Sequence, residues 1–141
     1  MSLHLIKLAV GVSDLDHLAA LQDRRVQTHD GRRIVPLTTR RLPRRADEIL
    51  AGGSLYWVVR GSVAVRQRVL GIDTAVDGEG QGFCILRLDP ERVPTVPVAH
   101  RPFQGWGYLD PAKAPPDQAG AAGTGELPPH LLAELRDLGL L

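Results

Sequence analysis

Two β-rich runs, residues 55–60 and 63–70, stand on either side of Gly61-Ser62. A two-residue Gly-X link between runs of β-branched and aromatic residues is the signal for a type II′ hairpin. With Gly61 and Ser62 as the turn, Trp57 lies opposite Arg66, Val58 opposite Val65, Tyr56 opposite Gln67 and Leu55 opposite Arg68. Strand residues alternate between faces. Leu55, Trp57, Val59, Ala64, Arg66 and Arg68 therefore share one side, and Tyr56, Val58, Val63, Val65, Gln67 and Val69 the other. The valine-rich side is the expected core face. The other side offers two readings. Trp57 is either a stacking platform beside the phosphate-binding arginines Arg66 and Arg68, or a packed ring with Arg66 laid over it.

The elements around this hairpin follow from spacing and punctuation. Residues 3–10 are apolar on both alternating sets, which predicts a central strand. Ser13 is placed to cap a helix running to about Arg25, with Leu15, Leu18, Ala19 and Gln22 on its stripe. Residues 27–33 read as a polar loop turning at Asp30-Gly31, and 34–39 as a strand that Pro36 confines to an edge. Pro43 suits the first turn of a second helix, with Ala46, Ile49 and Leu50 buried and Gly52 or Gly53 ending it. A strand at 83–88 and a last short strand or aromatic-rich turn at 103–109 complete the set. The expected domain organisation is a single α+β domain over 1–110, a flexible Pro/Gly/Ala-rich linker over 111–127 and a short C-terminal helix over 128–141.

At 141 residues the chain is long enough to bury a core without a disulfide or metal staple. Cys84 is the only cysteine, so no internal disulfide can form, and a cytoplasmic protein is expected. It lies between Phe83 and Ile85, where a buried, inert thiol is expected. No apolar run approaches the ~18 residues of a membrane span. Net charge near +1 does not by itself call for nucleic acid. The arginines are nevertheless clustered: Arg24, Arg25, Arg32, Arg33, Arg40, Arg41, Arg44 and Arg45 fall in one stretch.

Arg44 and Arg45 open the second helix, where backbone amides can hold an anion. Local pairing with Asp47 and Glu48 is the alternative. A second cluster, Arg101, Phe103, Gln104, Trp106 and Tyr108, is a candidate pocket or the plug of a barrel end. Gly78-x-Gly80-x-Gly82 leads into a strand rather than a helix, so it reads as a hairpin turn and not a phosphate loop. The five histidines show no metal-ligand spacing, and Ser54 lacks the context of a nucleophile elbow. No catalytic, metal or cofactor residue is expected.

Several segments together carry a family resemblance. These are LHLIKLAVG, TR-x-x-P-x-R-A-x-E-I-L-x-G-G-S-L-Y-W-V, the Arg66-Gln67 pair, and RPFQGWGYL followed by APPD. Over residues 3–117 the chain resembles a bacterial family catalogued as domain of unknown function 1489. More distantly, a helix ending in EIL-x-G-G before a strand ending at Arg60 resembles the ASCH domains of the PUA-like superfamily. Those are small β-barrels with flanking helices that bind RNA or modified bases. Their G-x-K-x-x-E-x-R motif falls on Gly53, Leu55, Val58 and Arg60, so only the glycine and arginine match. The missing lysine and glutamate argue against the hydrolytic activity of some relatives.

The resulting expectation is an α+β fold. It is a mixed, partly closed, PUA-like β-barrel of five to seven strands, with two flanking helices and the C-terminal helix. The expected function is a non-catalytic RNA- or nucleotide-binding module. Arg40, Arg41, Arg44 and Arg45 would meet phosphate, Arg66 and Arg68 would flank a base on Trp57, and Arg60 would stand nearby. The alternatives are a small hydrolase of a modified nucleoside, with Thr39 and Arg60 near its pocket, and a protein-interaction module built on the C-terminal helix.

Overall fold

The structure is a computed structural model, and it describes residues 3–101 and 105–118. Its organising element is β5 (Ser62–Val76), a strand long enough to serve two neighbourhoods. The first half of β5 pairs with β4 (Ser54–Val59) on one edge and β7 (Val93–Ala99) on the other. The second half pairs with β6 (Gly82–Leu88), so β6 and β7 follow one another along the same edge. A register shift between Val69 and Gly71 divides the two halves, and such a bulge bends a strand.

Beyond β4 lie β1 (His4–Leu8), parallel to it, and then β8 (Trp106–Leu109), antiparallel to β1. Beyond β6 lie β3 (Arg32–Thr39) and β2 (Gln27–His29). The strand order is β2-β3-β6-β5-β4-β1-β8, with β7 beside β5. The sheet does not close on itself: β2 and β8 are the two ends of the path. Eight strands therefore form among the described residues, more than the sequence suggested. The reason is local: 27–29 is a strand of exposed polar residues, paired across Asp30 and Gly31, both at positive φ.

β4 is buried at every position, as a strand flanked on both edges should be. One core cluster draws Leu5, Leu55, Trp57, Val65, Val69, Leu86 and Leu88 from both ends of the sheet, together with Leu18 and Ile49 from the helices. The opposite face of β1 and β4 carries a smaller cluster of Ile6, Tyr56, Val58 and Val63. Ala114 packs on it from the segment after β8.

Helix α1 (Leu15–Asp23) is capped by Asp14, whose side chain accepts from the His17 amide at 2.7 Å. Ser13, the expected cap, instead places its hydroxyl against the His17 ring. Helix α2 (Ala46–Leu50) is only five residues long and buries Ile49. Gly53 ends it against the carbonyls of Leu3 and Ile49, where a Cβ would collide with both. Pro36 pairs with Arg87 of β6. β2 covers β3 only as far as Ile34, so Pro36 has an open edge, as its missing N–H requires.

The β4–β5 hairpin differs from the expected one by a single residue. The turn is Arg60-Gly61, with φ of 52° and 79°, and Val59 pairs with Ser62. Two successive positive φ values make this a type I′ turn, not II′. A bulge between the Trp57 and Val58 pairs shifts the register again. Trp57 then faces Val65, and Tyr56 faces Arg66. The expected partners of Trp57 and Arg66 are thus exchanged, and with them the faces.

Among the described residues no helix is long and apolar enough to cross a membrane. The expected linker begins with a short 3-10 turn, Pro111–Lys113, and then binds β7. The Val96 amide donates to the Pro116 carbonyl at 2.8 Å, and Gln118 Nε2 donates to the Thr95 carbonyl. The expected C-terminal helix lies outside the described residues.

Candidate functional site

The exchanged register decides what the arginines of β5 can do. Trp57 is buried in the core and donates its Nε1–H to Gln67 Oε1 at 2.8 Å, so it is no stacking platform. Arg66 does not lie over it. Arg66 instead stands on the opposite face, beside Ser54 and Tyr56 of β4 and His4 of β1. These four residues, with Gly52 and the strap Pro115–Pro116–Asp117, line an open cleft of about 340 Å³.

Arg66, Asp117, Ser54 and His4 are tied into one set of hydrogen bonds. Arg66 holds Asp117 bidentately, Nε to Oδ1 at 2.7 Å and Nη2 to Oδ2 at 2.8 Å, and its Nη1 donates to Ser54 Oγ at 3.1 Å. Bidentate pairs of this kind are the stronger hydrogen bonds of proteins. The bond to Asp117 raises the Arg66 pKa and holds the Asp117 carboxyl below the usual carboxylate range. A guanidinium has five N–H donors, and these bonds use three, leaving one on Nη1 and one on Nη2.

His4 accepts the Ser54 amide at Nδ1, 3.0 Å away, which puts its proton on Nε2. Burial, and then the charge of Arg66, lower its pKa, so the neutral ring is favoured. Its ring meets Tyr56 edge to face, with centroids 5.1 Å apart. Burial raises the Tyr56 pKa and keeps the phenol protonated. His4 Nδ1 is thus engaged by a backbone amide and Ser54 Oγ by Arg66. Neither is arranged as a base and nucleophile pair.

The other predicted residues are dispersed. Arg40 pairs with Asp77 at 2.9 Å. Arg41 lies over the Trp106 ring, 4.1 Å from its centroid, and donates to the Trp106 carbonyl. Trp106 Nε1 returns a bond to the Arg41 carbonyl at 2.9 Å, and the indole is buried. Trp106 thereby joins the core, as a plug would. Arg45 pairs bidentately with Glu48 at 2.6 and 2.7 Å, the local alternative, and sits near the Tyr108 ring. The amides of Arg44 and Arg45 both donate to Tyr108 Oη, at 2.9 and 3.2 Å. The two amides that lead into α2 are therefore taken by a phenol, and the expected anion seat at Arg44 and Arg45 is occupied.

Arg44, Arg60, Arg68 and Arg101 are exposed, and Arg68 alone of these shares a strand face with Arg66. Gln104 lies outside the described residues. Thr39 is buried and donates its hydroxyl to the Arg41 carbonyl, away from Arg60 in the hairpin turn. Cys84 is fully buried, and burial raises its thiol pKa against an opposing bond from Thr39. The Gly78–Gly82 stretch is a turn, held by Asp77 Oδ1 accepting from the amides of Glu79 and Gln81. Among the described residues no group of three or more His, Cys, Asp or Glu is arranged to hold a metal ion.

Sequence reasoning missed His4, Ser54, Tyr56 and Asp117 as partners of Arg66. No local pattern marked it: the Arg60-Gly61 turn alone would set Tyr56 opposite Val65, and only the bulge between the Trp57 and Val58 pairs brings it opposite Arg66.

The chain belongs to the family described as protein of unknown function (DUF1489), whose profile matches residues 5–141. No curated protein and no solved structure matches it.

Proposed function

We propose that this protein is a non-catalytic module that binds a phosphate-bearing nucleotide or RNA end in the cleft on the outer face of β1, β4 and β5. The observation that carries the reading is the Arg66 guanidinium in an open cleft, with two N–H donors left over and Ser54, Tyr56 and the His4 Nε2–H around it. Arg suits a phosphate because its planar fork matches two oxygens at once. Arg68, exposed two residues along the same strand face, adds a second cation. Tyr56 and His4 supply the aromatic wall that Trp57 was expected to supply. The bent, open sheet with two short helices is in keeping with the PUA-like, partly closed barrel of the distant resemblance. The engagement of His4 Nδ1 and Ser54 Oγ favours binding over hydrolysis.

The test is a titration of the full chain with AMP, UMP and short single-stranded RNAs, with and without a 5′-phosphate, at low salt. Phosphorylated ligands are expected to bind. Arg66→Lys, which keeps the charge and loses the fork, should weaken them about tenfold. Arg68→Ala should flatten the salt slope on single-stranded RNA by about 0.7. A double Arg44→Ala, Arg45→Ala variant should leave affinity unchanged. Absence of binding by the folded wild type at low salt, or equal affinity with and without phosphate, removes the reading.

A further inference from the structure

The other face of β1 holds a different anomaly. Leu3, Leu5 and Ala9 all belong to the core cluster, so Lys7 sits at a core-facing position of the same strand. Its parallel neighbour Trp57 faces that core as well. Among the described residues no hydrogen bond or ion pair satisfies the Lys7 ammonium. Burial lowers its pKa, the sign of a cation short of solvent and of partners.

Lys7 lines a cavity of about 200 Å³ between β1, α1 and β3, walled by Leu18, Val35, Leu88 and Trp57. Gln22 and Arg25 are the other polar members, and among the described residues no acidic one lines it. Two cations without a carboxylate, set in apolar walls, describe the complement of one kind of ligand. An apolar cavity of about 150 Å³ accepts a benzene ring, so the volume here suits a ring bearing one small polar group. In such a site a carboxylate would complete the missing ion pair at low dielectric, and the ring would supply the contact area.

We infer that this cavity is a binding site for a small apolar monocarboxylate of aromatic size, with Lys7 as its counter-ion and Arg25 as the second cation. The site lies on the face of β1 opposite His4 and is independent of the Arg66 cleft.

Benzoate is the probe and benzamide its neutral isostere. Calorimetric titration of the full-length wild type should show benzoate binding about tenfold more tightly than benzamide. Lys7→Met should abolish that preference while leaving benzamide binding no weaker. Should Lys7→Met fail to fold, Lys7→Gln gives the same readout. Arg66→Lys should leave benzoate affinity unchanged. Equal affinity of the wild type for the two probes overturns the inference. So does a preference that survives loss of the Lys7 charge, a preference lost in Arg66→Lys, or no benzoate binding in the millimolar range.

Discussion

Gln67 shows how one polar residue can fix the relation between elements. It is fully buried on the core face of β5. Its Oε1 accepts from Trp57 Nε1 at 2.8 Å and from Gln22 Nε2 at 2.7 Å, and its Nε2 donates to Gln22 Oε1 and to the Asp89 carbonyl. All four bonds of the amide are made, which is the condition under which a buried polar network stabilises. It joins α1, β4, β5 and the turn after β6. Gln67→Leu keeps the volume but orphans the Trp57 indole, the Gln22 amide and a carbonyl. Urea denaturation should show a loss of roughly 3 kcal/mol, since each buried unsatisfied group costs ~1–3 kcal/mol. The sequence placed Gln67 correctly on the valine-rich face but put Trp57 on the other. Alternation alone relates residues within a strand, and nothing in it fixes one strand's phase against its neighbour.

At the scale of elements, that phase was set by the bulge between the Trp57 and Val58 pairs, while the turn itself moved by one residue. Gly61 accepts positive φ freely, but a type I′ turn needs it at both central residues, and Arg60 adopts it at 52°. The other tight hairpin, Asp30-Gly31, uses the residue pair that this turn prefers. Arg60 is therefore a locally poor choice that strand pairing overrides. Replacing it by Asn should stabilise the fold by about 0.5 kcal/mol, read as a raised melting temperature with unchanged strand chemical shifts. Destabilisation would show that Arg60 makes a contact the turn geometry does not require. Helix α2 teaches a similar lesson. Ile49 and the Gly-Gly stop were legible, because they act within the helix or directly after it, whereas Pro43 lies before the Arg45 N-cap and not in the first turn. The Tyr108 hydroxyl that holds the two residues before the helix comes from a strand more than sixty residues away, with no local signature.

For the whole molecule, the segments with strong β-patterning were found where expected: β1, β4, β5, β6 and β8. The bend in β5 and its division between β6 and β7 were not legible, because they depend on bulges rather than composition. Nor was the strap of residues 115–118, whose proline-rich sequence reads as a linker until Asp117 meets Arg66. That pair predicts an acid response. The Asp117 carboxyl titrates below its ordinary value of about 3.9. Its contribution to docking the strap is thus complete above that value and is lost as pH falls through the lowered one. The Arg66 Nε–H resonance should follow this transition by NMR, and in Asp117→Asn it should not titrate. A midpoint at the ordinary aspartate value would mean that the pair does not persist in solution. The place of β1 in the sheet has a consequence for biosynthesis. Leu5 pairs with Leu55 on one side and Tyr108 on the other. β1 is thus translated well before either of its partners. Until β8 is translated, an apolar strand stays unpaired along at least one edge, a template for association with other nascent chains. This protein's yield in a cell should depend on whatever shields β1 during that interval.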